Sequence, residues 1–304
     1  MKLRALTACF VLLATHAFAW GPDGHAIVNR LAAQSLPAGL PAFLHTPSAV
    51  SAITYYSSEP DRWRSPAEPE LNAAQAPEHF IYLELADLVG PLPHRRYDYI
   101  RALAAAQAKH PGLNLTPEHV GLQPYVTTEV YERLQAAFRH YRALVTAHED
   151  TRPIEAEILF YAGWLGHYVG DGAQPMHTSV QYDGWTGPNP NGYITKKGFH
   201  WAFENDFVHA AIHPSDPAPL VTASKPQLLQ GDIFDDYMAY LLHSHTFVEK
   251  TYQLQKAGAF NGQGTPAGRA FVDRCLANGA IELRDMIYTA WVRSATPAPD
   301  FSSE

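Results

Sequence analysis

Residues 153–177 read PIEAEILFYAGWLGHYVGDGAQPMH, and this stretch decides the fold. Apolar residues recur at helical spacing over 153–170, which predicts a helix. His167 and Asp171 stand four residues apart, so one helical face would carry both side chains if the helix continues through them. His177 follows six residues later. An imidazole and a carboxylate on one helical face form a geometry typical of metal ligands.

The same helical spacing recurs along most of the chain. Further helices are predicted at 24–36, 97–109, 126–147, 201–212, 232–257 and 266–293, and loops rich in proline and glycine at 57–78, 86–95, 111–125, 182–199 and 213–226. The sequence contains no long alternating pattern typical of strands. We therefore expect an all-α fold, with a single compact helical domain over residues 20–295 and a polar tail over 296–304.

Composition narrows the classes of function. The 304 residues are 46% hydrophobic and 17% charged, which excludes intrinsic disorder. The formal net charge of -8 argues against a protein that coats nucleic acid through counterion release alone. Sixteen histidines and only two cysteines favour imidazole and carboxylate chemistry over thiolate chemistry.

The first 19 residues have the pattern of a secretory signal peptide. Lys2 and Arg4 precede an apolar run over 5–13, and the segment ends in Ala-Phe-Ala at 17–19. An alternative lipoprotein cleavage site before Cys9 has too short an apolar run ahead of it. The mature chain is thus predicted to begin at Trp20 and to be secreted or periplasmic. It would retain only Cys275, so packing or bound metal must replace disulfide stabilisation.

Candidate ligands occur in three further motifs. GFHWAFEN over 198–205 gives His200 and Glu204 the same one-turn spacing. A single pair of this kind is usually a surface histidine bonded to a carboxylate, but repeated pairs within 40 residues favour a metal site. WGPDGH over 20–25 would supply a free α-amino group and a carbonyl from Trp20, and also the side chain of His25.

The third motif is PDRWR over 60–64, followed by EHFIYLE over 78–84. It contributes Asp61 and His79, with Arg62 and Arg64 beside the carboxylate. Taken alone, this stretch is a weak signal.

Together, these motifs resemble those of the superfamily of zinc-dependent bacterial phospholipases C and single-strand-specific zinc nucleases. The resemblance covers essentially the whole mature chain, from the N-terminal Trp to H-x3-D-x5-H and H-x3-E. It implies a helical domain with three zinc ions in a cleft, and we expect a monomer. The implied ligands are Asp61, His79, His167 and Asp171 for one ion, His177, His200 and Glu204 for a second, and Trp20, His25 and Asp171 for a third.

The resemblance also implies a mechanism. Imidazole nitrogens and carboxylate oxygens with open positions suit catalytic zinc, which can lower the pKa of water to roughly 7. The hydroxide would attack phosphorus in line. Asp61 is the candidate proton acceptor, and Arg64 is the candidate partner of a non-bridging phosphate oxygen.

The substrate is ambiguous because features of both branches are present. QPMH, GFHWAFENDFV and the final ligand Glu204 resemble phospholipases, which makes a phospholipid the expected substrate. The spacing from Trp20 to His25, the 23 residues from His177 to His200, and Arg64 resemble nucleases, so single-stranded nucleic acid is the alternative. A non-catalytic zinc-binding protein is a further alternative. The loop 182–199 joins two ligand-bearing segments and would border the site with stacking surfaces or an apolar rim, or serve as an ordinary surface loop.

Overall fold

Residues 20–297 are the part of the chain that the structure, a computed structural model, describes. The longer helices are α1 Gly21–Gln34, α2 Pro47–Tyr56, α3 Arg96–Lys109, α4 Gln123–Ala147, α5 Arg152–Ala173, α6 Ile233–His245, α7 Val248–Lys256 and α8 Pro266–Arg293. Shorter α-helices are Glu59–Arg62, Pro69–Gln75, Leu83–Ala86, Pro117–Val120, Phe199–Trp201, Val208–Ala211 and Ala218–Ala223, and 3-10 turns are Ala42–His45, Ala76–His79, Asp87–Val89 and Pro175–Thr178. Within residues 20–297, β-pairing is limited to isolated bridges, which confirms the all-α prediction.

Helix α5 lies at the centre of the fold and packs against α1, α2, α4 and α8. Its C-terminal part, residues 165–173, is buried on every face, which small residues permit. A Cβ atom at Gly166 would lie 2.2 Å from Oδ1 of Asn29, and one at Gly170 would lie 2.8 Å from Nδ1 of His25. These two glycines therefore let α1 approach the backbone of the helix that carries His167 and Asp171.

Several segments predicted as loops contain helices. Helix Pro69–Gln75 and helix Glu59–Arg62 lie inside 57–78, and Ala218–Ala223 lies inside 213–226. Within 111–125, helix Pro117–Val120 forms and α4 begins. The proline signal was misread, because proline in the first turn starts a helix: its missing N–H has no partner there anyway.

Two predicted helices are interrupted. The segment 201–212 contains a π-helix, Ala202–Phe207, between two short α-helices. The segment 232–257 divides into α6 and α7 at Thr246, whose hydroxyl donates to the carbonyl of His243 over 2.6 Å. This local bond competes with helix continuation.

The helices share one hydrophobic core that includes residues from α1 to α8. No helix within residues 20–297 is long and apolar enough to cross a bilayer. The predicted signal peptide over 1–19 lies outside the described residues, as does the predicted tail beyond residue 297. The start of that tail contacts the domain, since Arg139 donates from Nε to the carbonyl of Thr296 over 3.2 Å.

Candidate metal centre

The fold brings the predicted ligand side chains together from separate elements. Helix α5 supplies His167 and Asp171, and the turn that follows it supplies His177. The other ligand side chains are His25 in α1, Asp61 in Glu59–Arg62, His79 in Ala76–His79, His200 in Phe199–Trp201 and Glu204 in the π-helix. All of them are buried, none with more than 6% of its surface exposed. Charged and ionisable side chains are seldom buried this deeply unless they are paired or coordinate a metal.

Four of the histidines are oriented in the same way by backbone carbonyls. Nδ1 of His79 lies 2.8 Å from the carbonyl oxygen of Gln75, and Nδ1 of His167 lies 2.8 Å from that of Ser57. Nδ1 of His177 lies 2.6 Å from the carbonyl oxygen of His79, and Nδ1 of His200 lies 2.9 Å from that of Tyr182. A carbonyl accepts a hydrogen bond, so Nδ1 carries the proton in each ring. The Nε2 lone pair is thereby left for a metal, which is the usual arrangement around a metal-binding histidine.

The first cluster centres on Asp171. Its Oδ1 lies 3.3 Å from Nε2 of His25, and its Oδ2 lies 3.5 Å from Nε2 of His167. Oδ1 of Asp61 lies 3.6 Å from Nε2 of His79 and 3.9 Å from Nε2 of His167. The two oxygens of Asp171 thus face different histidines, a geometry suited to a carboxylate that bridges two ions.

The second cluster contains His177, His200 and Glu204. Nε2 of His177 and Nε2 of His200 are 3.1 Å apart, although both rings already donate through Nδ1. Oε2 of Glu204 lies 2.8 Å from Nε2 of His200 and 3.6 Å from Nε2 of His177. Two lone pairs and a carboxylate oxygen that converge this closely require a cation between them, either a proton or a metal.

The first cluster has too few hydrogen-bond partners for its polar atoms. Among residues 20–297, neither Nε2 of His79 and His167 nor any carboxylate oxygen of Asp61 and Asp171 makes a hydrogen bond. Burial raises the pKa of Asp61 to about 8 and that of Asp171 well above its usual range. Burial also lowers the pKa of His79 and of His167 well below the usual range, which favours neutral imidazole. These ring nitrogens and carboxylate oxygens have lone pairs without a hydrogen-bond partner in that part of the chain, and they therefore fit a divalent metal ion.

Three ligand groups form within the buried set. Their ligand atoms lie within 4.8 Å of one another in the groups His25–Asp61–His167, His79–His167–Asp171 and His177–His200–Glu204. All eight predicted side-chain ligands take part. The groups are consistent with the binding of several metal ions.

Trp20 and Arg64 also reach this region. Trp20 is fully buried, its ring lies 5.5 Å from that of Phe203, and its φ of 29° is a conformation that residues other than glycine rarely adopt. The positive charge of Arg64 opposes the rise in the pKa of Asp61 and of Asp171. It therefore contributes positive potential to the first cluster.

One cavity opens beside the second cluster. It has a volume of about 300 Å³ and is lined by Gly21, Pro22, Asp23, Glu204, Asn205, Asp206 and His209. Oδ2 of Asp23 accepts a hydrogen bond from Nδ1 of His209 over 2.7 Å at its exposed side. Three of the seven lining residues are acidic, and one is a histidine.

Aromatic residues of the loop 182–199 pack against other parts of the protein. The ring centroid of Trp185 lies 4.8 Å from that of Tyr193 and 5.2 Å from that of Tyr252, so these aromatics pack inward. Lys196 and Lys197 are exposed. The ring of Tyr182 instead stacks on that of Tyr82, with the ring centroids 5.5 Å apart.

An exposed group that the sequence did not predict consists of His94, Asp232 and Asp235. Nδ1 of His94 lies 3.4 Å from Oδ1 of Asp232, and Nε2 lies 3.0 Å from Oδ1 of Asp235. Because each ring nitrogen faces a different carboxylate, ion pairing accounts for the arrangement without a metal. Its members come from distant parts of the sequence, so no local motif could have indicated it.

Comparison with protein-family models and with curated proteins finds no match to this chain. The functional interpretation therefore depends on the geometry of the buried clusters and on the sequence motifs.

Proposed function

We propose that this protein is a zinc-dependent hydrolase of phosphoric ester bonds, of the phospholipase C type, with three zinc ions. The observation that carries the proposal is the buried set of eight His, Asp and Glu side chains, in which four histidines present Nε2 to their neighbours. A site of this composition suits zinc better than magnesium or calcium, which prefer sites built from oxygen ligands alone.

The ions are assigned as the sequence motifs indicate. Asp61, His79, His167 and Asp171 would hold one ion, since Asp61 and Asp171 both lie near His167. His177, His200 and Glu204 would hold a second. His25, Asp171 and the amino and carbonyl groups of Trp20 would hold a third. The separation of 3.3 Å between His25 and Asp171 and the burial of Trp20 support this last assignment.

Zinc, when bound, acidifies water and offsets negative charge on a phosphate. Side chains of the protein would provide proton transfer and phosphate binding. The carboxylate of Asp61 would accept the proton of the attacking water, and burial strengthens every electrostatic interaction that it makes there. The guanidinium of Arg64 would bind a non-bridging phosphate oxygen as charge grows on it.

The acidic cavity supports a phospholipid substrate. Asp23 and Asp206 line it next to Glu204, and its volume of about 300 Å³ suits a small cationic headgroup. The same carboxylates would repel a polyanion that entered the cavity. A headgroup that entered this cavity would meet the carboxylates of Asp23 and Asp206.

A single-strand-specific nuclease is the second candidate function. It is favoured by a column of aromatic rings in which Tyr82 stacks on Phe80 at 4.7 Å and on Tyr182 at 5.5 Å. The ring of Tyr182 lies 6.1 Å from that of His200. Tyr82 is buried, whereas Phe80 and Tyr182 are partly exposed, and nucleic-acid bases stack on ring faces that are open to solvent.

The test is to load the chain beginning at Trp20 with zinc and assay it in parallel on phosphatidylcholine micelles and on single-stranded DNA. The proposal predicts release of the phosphorylated headgroup, with no cleavage of DNA. Cleavage of DNA alone would assign the chain to the nuclease alternative. Bound zinc with turnover of neither substrate would indicate the non-catalytic zinc-binding alternative.

A further inference from the structure

Six aromatic side chains form one cluster on the outer side of the segments that carry Asp61 and His167. The cluster, termed here the aromatic face, consists of Tyr55, Tyr56, Trp63, Phe160, Tyr161 and Trp164. Its rings form a continuous chain of contacts, with centroid separations between 5.1 and 5.8 Å along that chain. The functional site described above uses none of them.

The aromatic face is accessible to solvent. The side chain of Tyr55 is 60% exposed, and the other five aromatic residues are partly exposed. Apolar surface that stays exposed to water is less stable than the same surface when buried. A contiguous group of such rings on a folded domain therefore indicates a surface that another body covers.

The charges on the aromatic face are mixed. The guanidinium of Arg62 lies 4.4 Å from the ring centroid of Tyr55 and pairs with Glu59. The guanidinium of Arg133 lies 5.7 Å from the ring centroid of Trp164. Cations and acids interspersed among tyrosine and tryptophan complement a zwitterionic headgroup layer, where the exposed ring of Tyr55 can keep an apolar edge in lipid and its hydroxyl in water.

The geometry of the rings disfavours nucleic acid as the occupant. Interplanar angles are 75° for Tyr55–Tyr56, 80° for Tyr56–Phe160 and 88° for Trp63–Trp164, so three of the five ring contacts in the continuous chain of rings are edge to face. The other two, Phe160–Tyr161 and Phe160–Trp164, are tilted by 55° and 49°. Bases need open, flat ring faces and a groove with a net positive charge. Edge-to-face rings present apolar edges instead, and the guanidinium of Arg62 already covers one face of Tyr55.

The aromatic face and the metal clusters are built on the same segments. Trp63 is two residues from Asp61, and Trp164 is three residues from His167. The carbonyl of Ser57, one residue after Tyr56, accepts the hydrogen bond from His167. Lipid bound at the aromatic face would therefore contact the same segments that carry Asp61 and His167.

We propose that the aromatic face binds the surface of a zwitterionic phospholipid membrane and so concentrates the enzyme at its substrate. This inference rests on the proposed phospholipase function. It assigns the membrane contact to residues that bind no metal and do not touch the reacting phosphate.

The test uses the zinc-loaded protein and sucrose-loaded phosphatidylcholine vesicles, with binding measured by cosedimentation. The variants are Tyr55→Ser and the double variant Tyr55→Ser, Phe160→Ser. The matched control is Tyr97→Ser, because Tyr97 is 73% exposed and lies on α3 outside the aromatic face. Zinc content and melting temperature are recorded for each protein. The single variant Tyr55→Ser alters an exposed side chain, so it should fold like the wild type and test the aromatic face without loss of structure.

The expected result is vesicle binding by the wild type and the control, and binding weaker by about tenfold or more in the double variant. Hydrolysis of a monomeric, short-chain phosphatidylcholine should be unchanged in all of them. Wild-type protein that hydrolyses the monomeric lipid but stays in solution with vesicles would overturn the membrane surface while leaving the proposed function intact.

Other outcomes are equally decisive. Vesicle binding that depends on the aromatic face, without hydrolysis of either lipid, would refute the proposed function and support the membrane surface. Equal vesicle binding by wild type and double variant would overturn the inference. Loss of binding to an oligo(dT) strand in the double variant, with no vesicle binding by the wild type, would overturn it in favour of nucleic acid.

Discussion

The side-chain amide of Gln174 donates a hydrogen bond from Nε2 to Oε2 of Glu204 over 3.1 Å, within the second ligand cluster. Its carbonyl Oε1 accepts a hydrogen bond from the backbone N–H of Met176 over 2.7 Å, which fixes the orientation of the amide. Gln174 thereby joins the turn that carries His177 to the π-helix that carries Glu204. The ligand cluster is thus held in place by a side chain that is not a candidate ligand itself.

Replacing Gln174 with Met should weaken zinc binding at the second cluster by about 10–100-fold, because the carboxylate of Glu204 loses its orienting donor. Competition with a fluorescent zinc chelator measures this change. The matched control is Gln123→Met, since Gln123 is equally buried and donates to the carbonyl of Tyr168 over 3.1 Å. Equal zinc affinity of the second cluster in both variants would argue against an orienting role.

Asp171→Asn should lower zinc content and melting temperature more than Glu204→Gln. The reason is that the two oxygens of Asp171 face His25 and His167, so one substitution weakens two zinc sites. Metal analysis and thermal unfolding of both variants test this expectation. If both variants matched the wild type in zinc content and melting temperature, the bridging role would be wrong.

Gly170→Ala should destabilise the fold by about 1–3 kcal/mol and displace His25, because the new Cβ would lie 2.8 Å from Nδ1 of that ring. Chemical denaturation and zinc analysis measure the two effects. Gly112→Ala is the control, since a Cβ there would meet nothing within 4 Å. A variant at position 170 that behaved like the control would show that α1 does not pack tightly at this point.

Removal of metal should lower the melting temperature by roughly 10 °C, since a ligand present at 1,000 times its dissociation constant stabilises the folded state by about 4 kcal/mol. The melting temperature should depend on the metal because the buried carboxylates of Asp61 and Asp171 have no hydrogen-bond partner for their oxygens within residues 20–297. Scanning calorimetry before and after chelation tests it. Zinc should restore the melting temperature and magnesium should not; no change on chelation would contradict the metal assignment.

Glu282 should make stability depend on pH. Burial and the nearby carboxylates of Asp285 and Asp236 raise its pKa from 4.5 to about 8, and Tyr237 and Tyr240 also face it. Between these values the unfolded chain releases the proton and the folded chain keeps it, so rising pH destabilises the fold by up to about 1.4 kcal/mol per pH unit.

The substitution Glu282→Gln should remove this pH dependence. Its stability relative to the wild type should therefore rise from pH 5 to pH 8, as measured by urea denaturation across that range. The exposed Glu118 provides the control Glu118→Gln. A constant difference between wild type and Glu282→Gln over the whole range would rule out the shifted titration.

Local sequence patterns predicted the elements that carry the clusters. Helical spacing indicated α5, and the four-residue spacings of His167–Asp171 and His200–Glu204 hold in the structure, with ligand atoms 3.5 Å and 2.8 Å apart. Such patterns succeed because neighbours on one helical face are determined by the chain itself.

Features that depend on tertiary contacts were not predictable in this way. The roles of Gln174 and of the carbonyl of Ser57 arise only when distant segments meet. Helix α2 was not among the predicted helices, although Pro47 stands in its first turn, where proline favours the start of a helix. The π-helix around Glu204 inserts an irregularity that apolar spacing does not reveal, and such irregularities occur often at functional sites.

The most direct test of the trinuclear zinc centre is the zinc stoichiometry of purified protein beginning at Trp20, measured by mass spectrometry of the metal after dialysis against zinc-free buffer. Three zinc ions per chain are expected, falling to two when the first residue is preceded by an uncleaved extension that turns its amine into an amide. One ion or none in the protein beginning at Trp20 would contradict the assignment of these buried residues as a zinc centre.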